Sequence, residues 1–479
     1  FIKNPANFVV GDYEEMKQAG YPVLDIDFLL TSVHDTSHSP GMLAGLLKGL
    51  PMQWTWATNL TRGGEVLVPF SWFFAINEFN GPSAGNTTEE GILQGICEIV
   101  ERHVCAVITR ERLRTPAIDP ASVQDPVARQ LLDKFERCGI KVYLNDFSLD
   151  TGIPTVAALC WDPSTFPEKS EIVYTAGTTP DPTKALIRAL TEVAQLAGDF
   201  HSSANYVASG LPKPLSLDEV DYVVRTEKEI GIGEMANVGD SDFNRELQNC
   251  ISALARINME VFVLDTMHPD LRIPTFYTIV PSAHFRERAA GGDAALFAAK
   301  LAAQLLDPAA LEAKLTEMQQ LQPDAYYLEF YRGKNLYDQG LAVEALTHFD
   351  RALILNPAEE DISYLYSYKG CCLRDLGRFD EAIAALEAGR QYDDERPDIH
   401  NILGVCHFKG QRFAEAAHHF QRAVELNPVS AIDYANLAIN LQHLGRTDEA
   451  MHNYQVALSM DPGIEFARKG LAELLQHAS

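Results

Sequence analysis

The feature that most restricts how this chain can fold is a pattern that recurs through its last third. Gly333, Gly340, Ala345, Phe349, Ala352 and Pro357 are followed by Gly370, Gly377, Ala382, Leu386 and Gly389. Then come Gly404, Ala416, Phe420, Ala423 and Pro428, and finally Ala438, Gly445, Ala450, Tyr454, Ala457 and Pro462. The shared alanine stands at 345, 382, 416 and 450, in steps of 37, 34 and 34 residues. A unit this short cannot bury its own apolar face, so a fixed period of this length implies that each unit stacks on the next. Small residues let two antiparallel helices approach, the aromatic fills the gap to the next repeat, and proline ends the second helix. Each unit is therefore predicted to be a helical hairpin.

The pattern resembles the tetratricopeptide repeat over 325–462, with Gly463 to His477 as a capping helix. The predicted array spans 323–479, about four repeats plus the cap. Leu386 in place of the aromatic and an insertion around Gln391 to Asp398 predict a looser second repeat. The resemblance implies a concave face that takes a peptide or a partner protein, with Tyr326, Tyr327, Tyr364, Tyr366, Asn401 and Asn436 as its candidate contacts. A dimerisation surface, making a homodimer, and a stabilising appendage are the alternatives.

Composition narrows the function classes. In 479 residues, 66 Asp and Glu outnumber 39 Lys and Arg, giving a net charge of -27. Such a surface repels phosphate backbones and anionic headgroups, so neither nucleic acid nor a membrane surface is expected as a partner. No apolar run approaches the roughly 18 residues of a membrane span. The eight cysteines form no C-x-x-C and most lie in apolar patterns, which points to reduced core thiols and a cytoplasmic setting. The chain begins at Phe1 with no charged leader, and the expectation is that a natural N-terminus precedes it.

The first 310 residues read as a mixed α/β domain. Val127 to Cys138 has helical periodicity, Ile140 to Asn145 and Pro154 to Trp161 are β-rich, and Thr183 to Ala197 is helical again. The order repeats in Asn244 to Ala255, Met259 to Asp265, Pro274 to Val280 and Ala294 to Leu306. Val142 to Asp146 and Val261 to Asp265 are runs of equal length ending in Asp, each followed by Ile-Pro-Thr. Two such β-α units suggest a pseudo-symmetric sheet around a cleft.

Chemistry concentrates between Asn80 and Arg102. The loop Gly81-Pro82-Ser83-Ala84-Gly85-Asn86 precedes Thr87, and Thr87-x-x-Glu90 fits a capping box that starts a long helix. Ile92, Leu93, Ile96, Val100, Val104 and Val107 make one apolar stripe, with Glu90, Gln94, Glu98, Glu101 and Arg102 across from it. Glu98 and Glu101 are i,i+3 neighbours and can approach one divalent cation, with Arg102 one turn from Glu98. An ordinary solvated face with intrahelical ion pairs explains the same periodicity. The letters Gly81-x-Ser83-x-Gly85 also spell a hydrolase nucleophile elbow, but Pro82 and the late helix cap do not suit its strand-to-helix turn. Walker, H-E-x-x-H and G-x-G-x-x-G motifs do not occur, and the pair His418-His419 lies inside a repeat helix.

Ser-x-Gly-Asn-Thr-x-Glu-Glu followed by Glu-x-x-Glu-Arg on one helix resembles the YcaO family. Ala185 to Glu192 is similar to that family's later Arg-bearing helix, and Val263 to Asp265, Ile273-Pro274 and Val280-Pro281 to its closing strands; the likeness covers about 50–290. It implies ATP and magnesium as cofactors and phosphorylation of a peptide amide oxygen during azoline or thioamide formation. On it, Glu98 and Glu101 would bind magnesium, Asn86 and Glu90 the nucleotide, and Arg102 and Arg188 the phosphates; it assigns no catalytic residue. The repeats would then recruit the peptide, a precursor-recognition protein or a sulfur-delivery protein. A family member normally carries an earlier acidic helix, and ahead of Asn80 only Glu14-Glu15 with Asp12 has helical spacing. The chain also lacks a Pro-rich end, which favours thioamidation, or a non-catalytic accessory role in ribosomal-protein methylthiolation, over azoline formation. A pure repeat scaffold is the remaining alternative.

Overall fold

Two antiparallel hairpins of similar sequence organise the first part of the molecule, and each builds its own sheet. The computed structural model describes residues 1–77, 79–167, 170–196, 214, 216–285 and 292–477. It divides into two compact units, Phe1–Leu301 and Ala302–Ser479. In the first unit the strands are β1 (Val9–Gly11), β2 (Met52–Asn59), β3 (Glu65–Pro69), β4 (Pro82–Ala84), β5 (Ala117–Ile118) and β6 (Lys141–Asp146). The chain continues with β7 (Thr155–Trp161), β8 (Val173–Thr178), β9 (Glu229–Ile230), β10 (Phe262–Asp265) and β11 (Thr275–Ile279). One sheet runs β1-β2-β10-β11-β4, with β3 also paired to β2; the other runs β8-β7-β6-β5-β9. Among the described strands only β5 and β9 pair in parallel. The two repeated β-α units are thus not halves of one sheet: β6-β7 lies in the second sheet and β10-β11 in the first.

The long helix Thr88–Glu111 is the element the two sheets share. It packs on β4 and β11 of one sheet, on β8 of the other, and on the helix Phe243–Arg256. Ile92, Leu93, Ile96, Val100 and Val104 are buried as the stripe requires, and Cys97, Ile99 and Ile108 extend the buried surface beyond it. At about 1.5 to 3 kcal/mol per fully buried aliphatic side chain, this helix is fixed by its packing rather than by surface ion pairs. A close fit is built in at Gly95, where a Cβ would stand 2.8 Å from Ser83 Oγ, so the helix lies hard against β4 and β11. The Thr87 hydroxyl accepts from the Glu90 amide at 3.2 Å, as predicted, but the Glu90 carboxylate reaches past Thr87 to the Asn86 amide at 2.7 Å.

In the second unit four hairpins follow one another: Tyr326–Asp338 with Ala342–Ile354, Glu359–Asp375 with Phe379–Arg390, Pro397–Lys409 with Phe413–Leu426, and Ala431–His443 with Thr447–Met460. Glu465–His477 follows as the last helix. Ala345, Ala382, Ala416 and Ala450 are fully buried. In the first three repeats the large residue sits on the small residue of its own hairpin. The predicted contact with the next element is also present: Phe349 stacks on Tyr368 of the following hairpin, and Tyr454 of the fourth repeat stands against Gly470 of the last helix. A Cβ on Gly333 would lie 2.8 Å from the Phe349 ring, one on Gly370 2.5 Å from Leu386, and one on Gly404 2.8 Å from Phe420. Leu386 is fully buried, so the second repeat is packed as closely as the others.

The candidate contact residues of the array divide. Tyr327 is buried, Tyr326 donates to Asp361, and Asn401 donates to Asp433 in the following hairpin. Tyr366 packs beside Gly389. Tyr364 is 51% exposed and carries the Arg396 guanidinium 3.5 Å above its ring. Among the described residues no helix is long and apolar enough to cross a membrane.

Candidate functional site

The face of the long helix opposite the apolar stripe divides into two groups. At its N-terminal end Glu90 Oε2 accepts from the Asn86 amide at 2.7 Å and from Asn86 Nδ2 at 2.9 Å. Two turns further on, about 12 Å along the axis, stand Glu98, Glu101 and Arg102. A Gly81 with positive φ turns its amide toward Glu98 Oε2 at 3.4 Å. Glu101 is 5% exposed and accepts from the Thr178 amide, at the end of β8, at 3.0 Å. A buried carboxylate held by another element is not part of a solvated surface, so at Glu101 the solvated-face alternative does not apply.

A second helix, Pro182–Leu196, brings the remaining charges. Gly177 on β8 permits this: a Cβ there would collide with the Ala185 carbonyl and stand 2.6 Å from the Ala189 amide nitrogen. The close approach sets Arg188 Nε 3.8 Å from Glu101 Oε2 and lets Arg188 Nη1 donate to Gln94 Oε1 at 3.3 Å. Glu192, one turn beyond Arg188, faces the same cluster. Glu192 takes no part in the sequence assignment. Its signal was its i,i+4 spacing from Arg188, which places both on one helix face.

Burial and the charge of Glu192 push the Glu101 carboxyl up to about 7, against the pull of Arg188, Arg102 and the Thr178 amide. Burial likewise raises Glu98 and Glu192, with Arg102 and Arg188 opposing it in both cases. Arg102 and Arg188 therefore act on the same three carboxylates. With no cation beside it Glu101 resists full ionisation at neutral pH, and a hard divalent ion with oxygen ligands is the species that would restore it. The donor set suits magnesium. The two arginines add charge suited to phosphate.

Among the described residues only Asp35, His38 and Asp293 bring three ligand atoms within 4.8 Å of one another. The ligand atoms of Glu98, Glu101 and Glu192 thus do not all lie within 4.8 Å of one another. The tighter trio is a structural cap. Asp35 takes the Ala294 amide at 2.7 Å and His38 Nδ1 at 2.6 Å, and Asp293 takes the Ala295 amide at 2.7 Å. Asp12 and Glu15 are also structural, since they form a capping box on Tyr13–Gln18.

Residues 1–284 match the family model described as YcaO cyclodehydratase, ATP- and Mg2+-binding, and 369–431 match a tetratricopeptide repeat model. An uncharacterized protein of Methanothermobacter thermautotrophicus is 29% identical over 250 residues, 48% of this chain and 65% of that one. The ribosomal protein S12 methylthiotransferase accessory factor YcaO of Escherichia coli is 30% identical over 152 residues, 31% of this chain and 24% of the relative. The chain thus spans less than two thirds of the length of each. The solved structure of YcaO from Methanopyrus kandleri, bound with AMPPCP and Mg2+, aligns with a TM-score of 0.40 at 23% identity, covering 48% of this chain and 64% of that one. By the family match, which takes in more than half of its residues, this chain belongs to the ATP- and magnesium-binding YcaO family and carries tetratricopeptide repeats after its YcaO region.

Proposed function

We propose that this chain activates a peptide amide at the expense of ATP, for thioamide or azoline formation, with the cluster on the long helix as its nucleotide site. One observation carries the reading: two helices bring Glu98, Glu101 and Glu192 together with Arg102 and Arg188, and all three carboxyls are raised by burial. Glu98, Glu101 and Glu192 would hold magnesium, Arg102 and Arg188 the phosphates, and Asn86 and Glu90 the other end of the nucleotide. When bound, ATP supplies a phosphoryl group that turns the amide oxygen into a leaving group, and magnesium offsets the charge of the triphosphate. The protein's part is placement. The Thr178 amide fixes Glu101, and Arg188 offers positive charge where the transferred group develops negative charge.

The repeats supply a surface for the peptide or for a partner protein that presents it. Phosphate release from ATP, measured with and without candidate peptides, tests the whole reading. Release that rises with one peptide and vanishes in Glu101→Gln supports it. Nucleotide binding without turnover on any peptide favours the second reading, an accessory role, to which the name of the Escherichia coli relative points.

A further inference from the structure

We infer that Gln94 is a positioning residue that holds Arg188 ready for the nucleotide phosphates; this rests on the nucleotide reading above. Arg188 reaches across from its own helix and is held at two points. Nη1 donates to Gln94 Oε1 at 3.3 Å, and Nε stands 3.8 Å from Glu101 Oε2. Gln94 and Glu101 are seven residues apart on one helix, so the guanidinium spans two turns of that helix face. Among the described residues Nη2 makes no hydrogen bond, and it is left for a ligand.

The chemistry of the second anchor is the substance of the inference. Three carboxylates surround Arg188, and with them as sole partners the guanidinium would close on the nearest, cancelling its own charge and occupying a metal ligand. An amide oxygen orients the guanidinium without neutralising it. It also restrains a side chain that otherwise has about 2 kcal/mol of rotamer freedom to lose on binding. Gln94 is exposed, so the core does not depend on its side chain, and glutamine-to-leucine keeps helix propensity.

The test is a cycle of four full-length proteins: the natural chain, Gln94→Leu, Arg188→Ala and the double variant. Each is titrated calorimetrically with the magnesium complex of a non-hydrolysable ATP analogue. Gln94→Leu is expected to weaken binding about fivefold, the order of one exposed charge-assisted hydrogen bond. In the Arg188→Ala background the same change is expected to do nothing further. Equal weakening in both backgrounds, or none in either, overturns the inference, because Gln94 would then act on the nucleotide directly or not at all. If the natural chain and Arg188→Ala bind alike, or neither binds, the nucleotide reading itself falls and takes the inference with it.

Discussion

Arg188 Nε stands 3.8 Å from Glu101 Oε2, longer than the 2.7 to 2.9 Å of a closed charge-assisted contact. Both groups therefore keep capacity for other partners, Glu101 for a cation and Arg188 for an anion. Replacing Glu101 or Glu192 by glutamine is expected to weaken binding of the magnesium-ATP analogue by at least about tenfold. Melting of the metal-free protein should stay unchanged or rise, since a raised, buried carboxyl is no asset to the fold when ionised. Calorimetry beside thermal melting reads both, and unchanged affinity in Glu98→Gln/Glu101→Gln would end the metal assignment.

Gly177 is the joint on which that geometry turns. An alanine methyl there meets backbone of the helix Pro182–Leu196, which cannot rotate away, so the helix must shift off β8. Gly177→Ala should cost about 1 to 3 kcal/mol of stability, the range for overpacking a tight contact. Because Arg188 and Glu192 ride on the displaced helix, nucleotide affinity should fall too, although neither residue is altered. A variant that loses stability alone would show that the helix relaxes back into register.

Much of this was legible in the sequence because periodicity reports local geometry. The steps between Ala345, Ala382, Ala416 and Ala450 marked the hairpins, and the apolar stripe of Ile92, Ile96 and Val100 marked the buried face of the long helix. What periodicity cannot report is which elements meet. Glu101 looked solvated on its helix, since its burial comes from β8 and Pro182–Leu196. Glu192 stayed unassigned for the same reason. The two similar hairpins misled in the opposite direction, because equal strand lengths do not say which edges pair.

Leu386 offers a direct measure of how repeat packing tolerates a smaller side chain than the aromatic. It is fully buried over Gly370, so Leu386→Ala should cost about 2 to 5 kcal/mol, with the cavity adding to the lost transfer energy. A loosely packed second repeat would relax into the space and lose under about 1 kcal/mol. Urea denaturation of the two proteins decides between these values.

The third hairpin also predicts a pH dependence of the array. His419 is buried; burial and the rings of His400, His407 and His418, together with Arg390, hold its pKa down to about 3, against the ordinary 6.5. His400 Nε2 donates to the Asp394 carbonyl at 3.1 Å, so its Nδ1 accepts the His419 Nδ1–H at 3.2 Å and both rings are held neutral. His407 stacks on His419 at 5.3 Å, while Glu387 Oε1 lies 3.8 Å from His419 Nε2. A base whose folded pKa is depressed contributes stability that is present above its unfolded pKa and lost as pH falls. The unfolded chain takes up the proton first, near pH 6.5, and the folded array resists until about 3. Array stability should therefore fall by up to about 1.4 kcal/mol per pH unit in this window. The melting transition is expected to drop between pH 7 and pH 5, to flatten in His419→Gln, and to keep most of that drop in His418→Gln, which alters an exposed ring that adds only part of the push on His419. An identical drop in His419→Gln would place the acid sensitivity elsewhere.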